Sequence, residues 1–235
     1  GSANTDGSIS STVSANTTSG FSIVSFTGTG SASTIGHGLN AVPKMYIVKN
    51  RSTASTQWRV YHASLGATKH MALDATQAVG TASSVFNNTE PTSSVFSVGT
   101  DDAANKSGDS LIAYCFAEKQ GYSKFGSYVG NGSATNGTFV YTGFKPAWLM
   151  VKNTATTSSW EIWDVKRNTF NPTAKSIFPD GSGAEYDYTN RVDLLSNGFK
   201  LKTTSSPNGS GNTHIYMAFA EAPLVGSNNV PCTAR

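Results

Sequence analysis

The chain has 235 residues, enough for one large domain or two small ones, and its formal net charge is +3 with Lys and Arg placed singly, so no basic stripe is offered to nucleic acid. Charged residues make up 13% of the sequence, about half the usual share, and Ser, Thr, Asn and Gly fill their place. No apolar run approaches membrane-spanning length and no signal-peptide pattern opens the chain, while two cysteines, Cys115 and Cys232, make no disulfide framework.

Residues 1–19 are small and polar, with Ile9 and Val13 the apolar exceptions, and read as a linker or extended arm. Gly1-Ser2 reads as a cloning scar at a cut into a longer protein. Near-alternation over Phe21–Phe26 predicts a strand ended by Gly28-Thr29-Gly30. Further strands follow at Lys44–Lys49, entered through Pro43, then at Trp58–Tyr61, His70–Leu73, Ser84–Phe86 and Val95–Val98. Leu111–Ala117 is the most apolar and is expected to be central. A second series runs through Phe125–Val129, Thr138–Tyr141, Ala147–Val151, Trp160–Trp163, Val192–Leu195, Phe199–Leu201 and His214–Ala220. Between the fourth and fifth of these, Lys166–Tyr188 carries two prolines and Gly181-Ser182-Gly183 and reads as a variable surface loop. Any helix is expected to be one or two turns long.

The two series are copies. Asn105 through Glu118 returns as Asn208 through Glu221, and Pro43 through Asn50 returns as Pro146 through Asn153, both at an offset of 103. Trp58 returns as Trp160 at 102. A period of about a hundred residues means tandem domains rather than a solenoid. The expected fold class is therefore all-β, with two tandem, internally duplicated β-sandwich units of jelly-roll or lectin-like type. The first spans 20–120 and the second 121–224, with 225–235 as a C-terminal tail.

The duplication also filters candidate chemistry, because a residue present in one copy cannot serve what both copies do. Glu118 and Glu221 are equivalent, but no partner carboxylate recurs beside them in sequence, so each reads as a strand-end residue paired with a Lys or a backbone donor. His37, His62, His70 and His214 lack histidine equivalents and show no metal-ligand spacing. Asp101-Asp102 with Asp109 reads as a solvated turn rather than a calcium site, which needs six or more oxygens. Asn105-X-Ser107-Gly108, repeated as Asn208-X-Ser210-Gly211, reads as a turn in which Asn bonds backbone and Gly takes positive φ. Trp58, Trp160 and Trp148 read as core, and Cys115 as a small core residue. No catalytic residue, metal ligand or cofactor motif emerges.

Phe21-Ser22-Ile23-Val24, Gly28-Thr29-Gly30, Gly36-His37-Gly38-Leu39, Pro43-Lys44-Met45, Ile47-Val48-Lys49-Asn50 and Ala113-Tyr114-Cys115-Phe116-Ala117-Glu118 together resemble a repeated module of bacteriophage tail-fibre-like virion proteins, of the kind found in phages of marine bacteria and cyanobacteria. The resemblance covers nearly the whole chain. It implies a distal module of a long protein, a homotrimeric fibre, contacts with other virion proteins, assembly in the host cytoplasm and a final place on the virion surface. The implied partner is a host cell-surface glycan or protein. Membrane insertion and nucleic-acid binding are not expected. A surface rich in Ser, Thr, Asn and Gly suits hydrogen bonding to sugar hydroxyls. The alternative is a purely structural virion module, a head decoration or fibre spacer; a glycan depolymerase is a third reading, which two carboxylates facing one cleft would favour. Receptor contacts are expected where the copies differ. Tyr186 and Tyr188 are the expected stacking groups, and Asn208 and Asn212 in the stretch Ser206–Asn212 the expected polar ones.

Overall fold

The computed structural model describes residues 1–221. Over them the chain is all-β. Every strand pairing in its sheets is antiparallel, and helix is confined to two single turns, α1 (Ser83–Phe86) and α2 (Asp102–Asn105). The chain divides into two compact units, one of Gly1–Asp74 with Val79–Glu118, the other of Ala75–Ala78 with the chain from Lys119 onward.

In the first unit the strands are β1 (Ser2–Asn4), β2 (Ser11–Asn16), β3 (Phe21–Thr27), β4 (Ser33–Gly36), β5 (Met45–Asn50), β6 (Arg59–His62), β7 (Lys69–Ala72), β8 (Gly80–Thr81), β9 (Val95–Val98) and β10 (Ser110–Phe116). Eight of them form one sheet in the order β1-β2-β3-β10-β5-β6-β7-β8, and β4 pairs with β9. Along β10, Leu111, Ala113 and Cys115 are buried and alternate with half-buried residues, the period of two that a pleated strand imposes. They pack with Val24, Phe26, Val48, Tyr46, Tyr61 and Phe96 in one apolar cluster. The Tyr46 and Tyr61 rings stack at 4.6 Å within it.

The second unit holds β11 (Ser123–Val129), β12 (Phe139–Tyr141), β13 (Trp148–Asn153), β14 (Trp160–Asp164), β15 (Thr173–Ser176), β16 (Tyr186–Leu195), β17 (Gly198–Leu201) and β18 (Thr213–Phe219). One sheet runs β11-β18-β13-β14, the other β12-β17-β16-β15. Their apolar residues, among them Leu149, Trp163 and Ala218 from the first and Val192, Phe199 and Leu201 from the second, meet in one cluster.

The order β3-β10-β5-β6 in the first unit has its counterpart in β11-β18-β13-β14. The side chains at the central crossing differ between them. Ala113 lies opposite Val24 on one side and Val48 on the other; at the corresponding crossing Tyr216 lies opposite Gly126 and Val151. A Cβ on Gly126 would stand 2.8 Å from the Tyr216 ring, so the large side chain in the central strand requires glycine beside it.

Three segments differ from the sequence expectations. Residues 1–19 are not a free linker: β1 and β2 add to the edge of β3, and Ile9 and Val13 are buried. Ser84–Phe86 is not a strand but lies in the helical turn α1, which ends at Asn87 with φ of 53°; a single left-handed residue there turns the chain back. Lys166–Tyr188 is only partly loop, since it contains β15 and the start of β16. Arg167 and Lys175 both reach Glu185 at 3.2 Å across it. The tail 225–235, including Cys232, lies outside the described residues; Cys115 is free and fully buried, and burial pushes its thiol up.

Candidate functional site

The polar turn motif is structural in both units. The Asn105 Nδ2 donates to the carbonyls of Ser31 and Gly99 at 2.7 Å each, and its Oδ1 accepts from Thr29 N. The Asn208 Nδ2 donates to those of Ser133 at 3.0 Å and Thr203 at 2.8 Å, and its Oδ1 accepts from Asn131 N. Gly108 and Gly211 follow with φ of 78° and 74°, left-handed values that cost glycine little. Asn208 is thus buried with its amide occupied, and does not face solvent as a sugar-binding residue would. The Asn212 carbonyl accepts from Gly130 N and bonds His214 Nδ1, so its backbone serves the same turn.

The other candidates separate likewise. Trp160 is buried, whereas Trp58 is half-buried, 6.3 Å from the Tyr114 ring in a stacked arrangement, with Lys49 Nζ 5.8 Å from its centroid. Trp148 is half-buried against Phe219 at 5.9 Å. Asp101 caps α2 by accepting from Ala103 N and pairs with Arg59, and Asp109 accepts from Asn50 and Thr53. Those bonds hold its carboxyl below the usual range. Glu221 pairs with Lys166 at 2.6 Å. Among the described residues no group of three or more His, Cys, Asp and Glu is arranged to hold a metal ion.

Tyr186 and Tyr188 do come together. They lie on β16 two residues apart, so their side chains project to one face, and the rings stack at 6.1 Å and 17°. Phe178 meets Tyr186 edge-on at 5.1 Å. Tyr186 is 51% exposed. On the other side the Arg191 guanidinium lies 3.7 Å over the Tyr188 ring, and its Nη1 donates to Ser206 O at 2.7 Å. A register shift between Thr173 and Lys175 sets the local geometry: two steps along β15 answer to five along β16, from Val192 to Asp187. A bulge of this kind re-aims side chains.

This aromatic ladder borders a cavity of about 500 Å³ in the second unit, lined also by Glu161, Asp180, Arg191, Ser205 and Ser206. Its volume falls in the range of small-molecule sites, about 300–1,000 Å³. Glu161 is buried on β14 and its carboxyl is pushed up to about 7, by burial first, with Arg191 and Ser206 opposing and Asp180 adding to the rise. Glu161 Oε2 and Arg191 Nε stand 3.7 Å apart, and neither has a hydrogen-bond partner. Asp180 Oδ1 accepts from Trp160 N at 3.0 Å, as Asp74 Oδ1 accepts from Trp58 N.

Glu161, Asp180 and Arg191 were not among the sequence candidates. One signal was present. In Trp160-Glu161-Ile162-Trp163 strand alternation puts Glu161 on the side of the fully buried Trp163, and its counterpart in the first unit, 102 residues earlier, is the oppositely charged Arg59.

No curated protein and no solved structure matches the chain. A family model described as "Domain of unknown function (DUF7483)" matches residues 1–223, and the chain belongs to that family.

Proposed function

We propose that the chain is a virion-surface, tail-fibre type fragment of two duplicated β-sandwich units, and that its second unit adheres to a host-surface glycan through the Tyr186–Tyr188 cavity. The observation that carries the adhesion reading is the stacked pair Tyr186 and Tyr188, partly open to solvent at the rim of a polar cavity of about 500 Å³. Aromatic faces receive the apolar faces of sugar rings, and carboxylates, hydroxyls and a guanidinium receive their hydroxyls. The duplication reading is supported by matching strand orders and by turn bonds that recur 102 to 103 residues apart. Thus Gly30 N bonds Asn105 O and Gly132 N bonds Asn208 O, both at 2.7 Å.

The segment that carries Tyr186 and Tyr188 is where the copies match least, although both residues stand on the strand β16 and not on a loop. The test is binding of labelled protein to bacterial cells before and after periodate oxidation of their surface glycans. Loss of binding after oxidation supports the reading; undiminished binding points to a protein receptor, and no binding to any host points to a structural spacer.

One observation favours a second reading, glycan hydrolysis: Glu161 and Asp180 line the same cavity, and a carboxyl near 7 suits a general acid. Against it, Asp180 Oδ1 is occupied by the Trp160 backbone. Release of reducing ends from a bound oligosaccharide distinguishes the two, and adhesion predicts none.

A further inference from the structure

Resting on the adhesion reading, we infer that the first unit carries a second glycan site, an open groove beside Trp58 that takes an acidic sugar by its carboxylate. The groove holds about 490 Å³, and Lys49, Arg51, Ser52, Trp58, Ile112 and Tyr114 are among the residues that line it. Ile112 and Tyr114 alternate along β10 with the core residues Leu111, Ala113 and Cys115, so they stand on the sheet face turned away from the core. Lys49 lies opposite Ile112 on β5. Trp58 and Tyr114 are both half-buried, their rings 6.3 Å apart and within 12° of parallel. With Ile112 they give the groove an apolar floor.

Two cations meet that floor, and the backbone that presents them is fixed. Asn50 is buried, and its Oδ1 accepts from Ser52 N at 2.9 Å and from Thr53 N at 3.0 Å. Arg51 N donates to Ser110 O at 2.9 Å. The Arg51 side chain is exposed, and among the described residues it has no ion-pair partner. Lys49 Nζ lies 5.8 Å from the Trp58 ring centroid and donates to the carbonyl and hydroxyl of Thr56, which leaves one of its three donors for a ligand.

The charge of the groove selects its occupant. Lys49 and Arg51 are the charged residues that line it. The Asp109 carboxylate is occupied by Thr53 Oγ1 at 2.6 Å and Asn50 Nδ2 at 2.8 Å, and Lys106 Nζ donates to the same Thr53 hydroxyl at 2.9 Å. An arginine fork meets a carboxylate with two parallel bonds, while the floor receives the apolar face of the ring. A neutral sugar gains the floor alone, and an amino sugar meets two like charges.

The groove belongs to one copy. Thr154 and Met217 stand where the first unit has Arg51 and Tyr114. Lys152, Trp160 and Met217, the counterparts of Lys49, Trp58 and Tyr114, are buried. Lys152 Nζ is held there by Thr76 O at 3.2 Å and Asn153 O at 2.9 Å. The features that make a site in the first unit are thus the ones the copies do not share.

The experiment is ligand-observed NMR on the full chain, titrated at pH 7 with the methyl glycosides of glucuronic and galacturonic acid and with those of glucose and galactose. One acidic glycoside should bind about tenfold more tightly than its neutral parent. That preference should shrink several-fold from about 0.05 M to about 0.5 M NaCl, as salt screens the exposed charges. Arg51→Thr, which brings in the second copy's residue at an exposed position, should abolish most of the preference with the melting temperature unchanged. Tyr186→Ala, in the other unit, should leave it intact. Equal binding of acidic and neutral glycosides overturns the inference, as does a preference that survives Arg51→Thr or is indifferent to salt. Periodate-sensitive adhesion to cells with no binding of the acidic glycosides overturns this site alone. Arg51-dependent binding of an acidic glycoside by a protein that adheres to no cell overturns the adhesion reading alone, and absence of both overturns both.

Discussion

Asn105 and Asn208 anchor the same turn in different halves of the chain, each buried and each tying two backbone carbonyls through its Nδ2. A buried amide in that position stabilises through several bonds, each worth about 1 kcal/mol net, and its loss strands the carbonyls it served. Asn208→Ala should therefore destabilise the second unit by roughly 2–4 kcal/mol while leaving sugar affinity of the folded protein unchanged. Urea unfolding and a binding titration on the same sample check both halves. Weakened binding without lost stability would return Asn208 to the site.

The Gly126–Tyr216 contact supplies a test of the core. Gly126→Ala places a methyl 2.8 Å from the Tyr216 ring, and overpacking of this kind costs about 1–3 kcal/mol. Adding Tyr216→Ala should not add its own full cost, because the clash disappears with the ring. A double-mutant cycle by thermal unfolding measures the coupling, and strict additivity would contradict the proposed exchange of volume between these positions.

Much of this fold was legible in the sequence, for identifiable reasons. The central strands β10 and β18 announce themselves by apolar density, and alternation in Phe21–Thr27 marks β3. The strands β1 and β2 were not legible, because Ser11-Thr12-Val13-Ser14-Ala15-Asn16 is polar enough to pass for linker. Only pairing along β3 makes it a strand. The four residues of α1 are too few to show a helical period. Within the site, Tyr186 and Tyr188 stood out because two aromatics fall in a segment without a counterpart. Glu161 and Arg191 did not, since their encounter depends on two different sheets bringing β14 and β16 to one cavity, across thirty residues of sequence.

Pairing of the N-terminal strands has a consequence for stability. Deleting residues 1–19 removes the β1–β2–β3 ladder and the buried Ile9 and Val13. Burial of one such side chain is worth about 1.5–3 kcal/mol, so the first unit should lose several kcal/mol or fail to fold. A melting temperature unaffected by the deletion, measured by calorimetry, would restore the linker reading.

Glu161 should shape the pH dependence of stability. Its folded-state carboxyl lies near 7 against an ordinary 4.5, so the native protein binds the proton more tightly than the unfolded chain. The stabilisation this brings is complete below pH 4.5 and is lost as pH rises through 7, on the order of 3 kcal/mol in all. Glu161→Gln should remove that contribution, so its stability relative to wild type improves from pH 5 to pH 8. Denaturant unfolding of both proteins at the two pH values is the check, and parallel pH profiles would contradict it.

In the proposed function the exposed Tyr186, backed by Tyr188, is the platform on which a host glycan rests. Its most direct measurement is binding of the wild-type protein and of the Tyr186→Ala/Tyr188→Ala variant to a glycan array, with melting curves alongside. The faces of Tyr188 are taken by Tyr186 and Arg191, so the exposed Tyr186 offers the face to sugar, and its loss should cost about 1 kcal/mol, a roughly fivefold weakening of binding with folding intact. Equal binding by the two proteins would contradict the account and leave the chain without a receptor site at this cavity.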